Sequence, residues 1–158
     1  MTNPNKDVIS VLNDLIEFSK DGEKGFKTSA DDAKSAELKT YFLQRSGECA
    51  SAAAELQQHV RTLGGDPETS TSVSGDLHRA WVNLKTLLTS KDDKAVLEEV
   101  ERGEDHALKA YKEALEKLSR LNMMPGSAVY ATVERQYHGV QRNHDQVKAM
   151  RNAARASA

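Results

Sequence analysis

An all-α fold is predicted: a four-helix bundle of two helical hairpins, joined by one long crossover that carries a shorter helix. Three observations predict it. Apolar residues recur at steps of three and four through almost the whole chain, the period of an amphipathic helix. Aromatic residues make up 5% of the 158 residues, with nine glycines and three prolines, a composition that favours long helices over strands. Of the breaks between periodic stretches, two are short and one is long.

The first helix, α1, is expected over about 4–31, opened by Asn3 as N-cap and Pro4 in the first turn. Its apolar arc is Val8, Ile9, Leu12, Leu15, Ile16, Phe18 and Phe26. Glu17 falls opposite, and Glu23 lies about 60° from the centre of the arc. A short link through Asp31 to Ser35 leads into α2, expected over about 35–63, so these two helices should be antiparallel neighbours. The arc of α2 is Leu38, Phe42, Cys49, Ala52, Leu56, Val60 and Leu63, with Arg45 inside it, Glu48 flanking and His59 at its edge. Leu63-Gly64-Gly65-Asp66-Pro67 then reads as a glycine helix stop with a proline just beyond.

The next connection spans about 27 residues and contains α3, about 75–89. It holds the single tryptophan, Trp81, three residues after His78; Trp81 is expected to dock the crossover onto the bundle. A helix of this length covers roughly 22 Å, enough with its flanks to carry the chain back along most of a bundle. The seam of α4, about 91–120, is Leu97, Glu101, Glu104, Leu108, Tyr111, Leu115 and Leu118, with Ser90 and Asp93 as a capping-box-like start. Met124-Pro125-Gly126-Ser127 is a turn whose serine caps α5, about 127–154. The seam of α5 is Val133, Tyr137, Val140, His144, Val147 and Arg151, while His106 and His138 project outward. The end of the chain from about 152 is expected to fray. Two hairpins joined by one long crossover is the ferritin-like variant of the four-helix bundle, here filling residues 1–158 as one domain.

Charge and cysteine content exclude several functions. With 22 Lys+Arg against 24 Asp+Glu, the net charge of −2 leaves no basic footprint for nucleic acid. One cysteine, Cys49, excludes an internal disulfide and any multi-cysteine metal site. No apolar run reaches the roughly 20 residues of a membrane span, and the N-terminus lacks the apolar core of a signal peptide, so a cytoplasmic location is expected. No nucleophile–base pair, phosphate loop or nucleotide fingerprint is present.

One site stands out. Counting along antiparallel helices places Glu23, Glu48, Glu101, Glu104 and His144 in a single slab near mid-bundle, together with Gly22, Gly25 and Gly103. Carboxylates inside an apolar bundle must be protonated, paired or bound to a cation. Two solutions are open. A metal is one: carboxylate oxygen and imidazole nitrogen suit iron or manganese, and zinc as well. Alternatively Arg45, inward at the same level, pairs with Glu48 or Glu101 in a buried network, with Arg151 adding a cation from α5. Tyr41, Tyr111 and Tyr137 fall at or near seams and need hydroxyl partners.

Leu12-Asn13-Asp14-Leu15-Ile16-Glu17, Asp21-Gly22-Glu23-Lys24-Gly25-Phe26, Leu63-Gly64-Gly65-Asp66-Pro67, His78-Arg79-Ala80-Trp81 and Glu101-Arg102-Gly103-Glu104-Asp105 occur in this order. Gln136-Tyr137 and His144-Asp145 follow them. Over nearly the whole chain this set resembles an uncharacterised bacterial family of ferritin-like four-helix-bundle proteins, a domain of unknown function. The resemblance implies the ferritin-like fold and no established activity, substrate or cofactor. A ferritin-like di-iron site wants a Glu on each of two helices and Glu-x-x-His on the other two. Glu23 and Glu101 match the single carboxylates, and Glu104 could replace a lost ligand. α2 offers Glu48-Cys49-Ala50-Ser51, with serine in the histidine position, and α5 offers Gln141-Arg142-Asn143-His144, with glutamine in the glutamate position. The expected function is therefore a bundle with a structural polar cluster, acting through association with itself or a protein partner. The alternative is an iron- or manganese-binding protein for metal storage or peroxide handling, using Glu23, Glu48, Glu101, Glu104 and His144.

Overall fold

The computed structural model describes residues 5–71, 75–90 and 92–157, the side chain at position 76 excepted. Its helices are α1 (Lys6–Asp32), α2 (Ala36–Thr62), α3 (Gly75–Ser90), α4 (Asp93–Arg120) and α5 (Ala128–Ala156). The Asn3–Pro4 helix start lies outside the described residues. No strand occurs among them, and no described helix is long and apolar enough to cross a membrane.

The stops and starts follow local chemistry. Ser35 caps α2 through the Leu38 amide (3.3 Å), and Ser127 caps α5 through the Tyr130 amide (3.2 Å). Gly64 ends α2 in the left-handed region at φ 84°, which lets the Gly65 amide reach back to the Val60 carbonyl at 2.9 Å. At the end of α4 the same role falls to Asn122 (φ 63°), upstream of the Pro125 turn. The start of α4 differs from expectation. Asp92 is the N-cap, its carboxylate accepting the Ala95 amide at 3.2 Å, whereas the Ser90 hydroxyl donates to the Leu87 carbonyl as the last residue of α3. A charged acceptor suits the positive end of a helix better than a hydroxyl does. At the other end of the chain α5 continues to Ala156, two residues beyond its expected end and through part of the segment expected to fray.

α1 packs against α2 and α4 against α5; α1 also touches α4, and α2 touches α5 least. Two apolar clusters fill the ends. Val8, Leu12, Leu56, Val60, Leu118 and Val133 meet at the Gly64 end. Phe26, Ala30, Leu38, Phe42, Val96 and Val147 meet at the α1–α2 turn. The N-terminal part of α4 thus lies beside the α1–α2 turn, so the crossover returns the chain to that end and each helix runs antiparallel to its bundle neighbours. α3 rests on α1 and α4. Leu84 and Leu88 face inward from it, and the Trp81 ring stands edge-on to Phe26 with centroids 5.1 Å apart.

Candidate functional site

Between the two apolar clusters lies a polar layer. Its centre is Arg45 on α2 and Glu104 on α4, both buried. Nε of Arg45 donates to Oε2 of Glu104 and Nη2 to Oε1, each at 3.0 Å, a planar two-point pairing. The Tyr41 hydroxyl donates to the same Oε2 at 3.2 Å, and the guanidinium carbon stands 5.0 Å from the centre of the Phe26 ring. Burial works against the charge on Arg45, but the Glu104 carboxylate and its hydrogen bonds overcome this and hold the guanidinium's pKa above its ordinary value. Tyr41 is driven upward by burial and by the Glu104 charge. Cys49, one turn beyond Arg45, is pushed up to about 11 by burial, so its thiol is neutral and inert at physiological pH.

The residues expected to share one slab separate into three places. Glu104 is the buried partner of Arg45. Glu48 and Glu23 stand at the rim, with side chains 42% and 37% exposed; Glu48 Oε1 lies 3.7 Å from Arg45 Nη1, and Glu23 Oε1 lies 3.6 Å from Lys20 Nζ. Glu101 and His144 form a separate edge cluster between α4 and α5. There Glu101 pairs with Arg151, and His144 Nε2 lies 2.7 Å from Asp105 Oδ1 and 3.9 Å from Glu101 Oε1. The expected partners of Arg45 were Glu48 or Glu101; Glu104 holds it, Glu48 touches it from outside, and Glu101 is held by Arg151 instead.

This arrangement does not fit a di-metal centre. Such a centre needs carboxylates and imidazoles from four helices aimed at one point. Here both oxygens of Glu104 are already engaged, and a guanidinium supplies the compensating positive charge. Among the described residues no group of three or more His, Cys, Asp and Glu is placed to hold a metal ion.

The polar layer also contains residues absent from the seams read in the sequence. Gln136 and Asn143 of α5 are buried, while Tyr137 and His144 are only partly so. Gln136 Oε1 accepts from the Tyr111 hydroxyl at 2.8 Å, and its amide reaches the Ala52 carbonyl at 3.3 Å. Burial pushes Tyr111 up to about 12. Two α2–α5 links lie further toward the Gly64 end: His59 Nε2 with Thr132 Oγ1 at 2.9 Å, and Arg135 with Glu55. The Arg135 hydrogen bonds hold Glu55 below the usual carboxylate range. The signal for Gln136 was available in the sequence, since a buried Tyr111 requires a partner at its height. His106 and His138 are exposed, as projected.

Helix order, crossover and polar mid-layer define a ferritin-like bundle with an ion pair at its centre. The chain belongs to the family described as Domain of unknown function (DUF2383), whose profile matches residues 7–117. Its fold is similar to that of a solved protein from Bacillus anthracis str. Ames, titled a crystal structure of ferritin like, diiron-carboxylate proteins. The two share 19% identity over 96% of this chain and 99% of that one, with a TM-score of 0.72. No curated protein matches the chain.

Proposed function

We propose that the protein is a ferritin-like bundle whose mid-bundle cluster is structural, and that it acts by association with itself or with a protein partner in the cytoplasm. The observation that carries this reading is the Arg45–Glu104 pair: the cation that balances the central carboxylate is part of the chain. A two-point pair between α2 and α4 fixes the height of one hairpin against the other, a register role well attested for buried polar groups. The alternative, iron or manganese binding for storage or peroxide handling, is supported by the ferritin-like fold and by the diiron-carboxylate title of the structural relative. It would have to draw ligands from the separate Glu104, rim and Glu101–His144 groups.

Metal analysis after gentle purification and aerobic ferrous loading tests the reading, with Glu101→Ala/His144→Ala as control and light scattering for assembly. Metal no higher than in the double variant, with a defined oligomer, is the expected result. Near-stoichiometric iron or manganese that the double variant loses would overturn it in favour of the alternative.

A further inference from the structure

The cleft between α2 and α5 is built unlike the rest of the bundle. These two helices touch least of all the neighbouring pairs. Short residues on both helices line the cleft, Gly47, Ser51 and Ala52 on α2 and Gly139 and Asn143 on α5, between the longer Glu48, Glu55 and Arg135. Between the helices is a cavity of about 580 Å³ that reaches from the surface to the polar layer, within the range of small-molecule sites.

Two buried polar side chains line its wall, Arg45 and Asn143. A guanidinium carries five N–H donors. Glu104 takes those of Nε and Nη2 of Arg45, but Nη1 has only the Cys49 sulfur at 3.9 Å and Glu48 Oε1 at 3.7 Å. The Glu48 contact is longer than the roughly 2.7–2.9 Å of a charge-assisted hydrogen bond between nitrogen and oxygen. The second group is Asn143. It is 4% exposed and lines the same cavity. Its carboxamide can both donate to and accept from a group that enters the cavity. Arg142 adds a cation at the mouth, its Nη2 3.6 Å from the place a Cβ on Gly139 would take. Apolar surface for a ligand body comes from Phe18, Ala107 and Val140.

We propose that this cleft binds a small organic monocarboxylate, its carboxylate received by Arg45 Nη1 and the Asn143 amide and its hydrocarbon body against Phe18 and Val140. Glu48 is the built-in competitor: its exposed carboxylate now stands nearest Nη1 and swings away when the ligand enters. The site is independent of any metal and of the proposed mode of association.

The test is an NMR titration of the isotopically labelled full chain at constant ionic strength, with sodium benzoate and sodium butanoate as probes. Benzamide serves as the uncharged control. Saturable shifts centred on Gly47, Gly139 and Asn143 are expected for the carboxylates and not for benzamide. Glu48→Gln, a surface change, should tighten binding several-fold by removing the competing charge. Asn143→Leu should weaken it roughly tenfold, the order expected for one lost buried hydrogen bond. Absence of saturable shifts with either carboxylate in the wild type overturns the proposal, as does equal binding of benzamide. Unchanged affinity in Glu48→Gln overturns the placement at Nη1, even if Asn143→Leu proves too unstable to titrate.

Discussion

The Trp81 indole occupies the space that a side chain at position 25 would need. A Cβ built on Gly25 would lie 2.3 Å from Trp81 Cε2, far inside van der Waals contact, and the neighbouring Phe26 meets the same ring edge-on. The crossover is therefore docked by a ring set directly on the α1 backbone, and Gly25 keeps its place in mid-helix for that reason. Gly22 is a second close approach, with Cys49 Sγ 2.7 Å from its would-be Cβ; Gly103 has nothing within 4 Å.

Gly25→Ala should accordingly lift Trp81 and loosen α3. We expect a loss of about 1–3 kcal/mol in urea unfolding, typical of overpacking. The emission of the single tryptophan should shift to the red as the indole becomes wetter. Gly103→Ala should do the opposite, gaining up to about 1 kcal/mol from helix propensity alone. Unchanged emission in Gly25→Ala would show that α3 is not held through this contact.

The central ion pair predicts an asymmetry between single and double variants. Glu104→Ala leaves the Arg45 guanidinium buried without its partner and should cost about 3–5 kcal/mol. Arg45→Met/Glu104→Leu replaces both charges by apolar groups of similar bulk and should cost much less, since neither desolvated charge remains. Glu48→Ala, at a 42% exposed side chain screened by solvent, should change stability by less than about 1 kcal/mol. Chemical denaturation of the three variants checks the order; a double variant as unstable as Glu104→Ala would contradict it.

The helices and the crossover topology were legible because hydrophobic period and turn residues agree along the chain: Ser35, Gly64 and Ser127 sit where caps and stops are needed. The site was legible only in part. On α4, Leu97, Glu104, Tyr111 and Leu118 were correctly placed, seven residues apart. The intervening positions were not. Val100, Ala107 and Ala114 are buried, whereas Glu101, Leu108 and Leu115 flank the core, with Glu101 turned to Arg151 of α5. The same shift by one residue on α5 exchanges Tyr137 and His144 for Gln136 and Asn143. Both alternatives fit a step of three or four, so periodicity alone cannot choose between them. Three-dimensional packing chooses: α3 covers the Val100 and Ala107 side of α4, and small alanines admit a close neighbour where leucines would not. Because Glu101 and His144 lay on the wrong side of that choice, five residues that seemed to converge in the sequence stand in separate clusters.

The alkaline limb of stability carries a signature of Cys49. Its pKa is raised from 9.0 to about 11 in the folded protein by burial, with the Arg45 charge only partly opposing this. In the unfolded chain the thiol ionises near its ordinary value, so between about pH 9 and 11 the unfolded state has lost a proton that the folded state retains. The stabilisation is therefore complete below about pH 9 and disappears as pH rises through 11, a loss of roughly 3 kcal/mol. Cys49→Ala removes this contribution and leaves the alkaline titrations of Tyr41 and Tyr111 in place. Unfolding free energies at pH 8 and pH 10.5 should fall more steeply in the wild type than in Cys49→Ala, whatever constant offset the missing sulfur introduces. In parallel, a thiol reagent at pH 8 should label Cys49 slowly in the native protein and rapidly in urea. Superimposable pH profiles for the two proteins would mean that the thiol is hydrated in the folded state and not packed against Gly22.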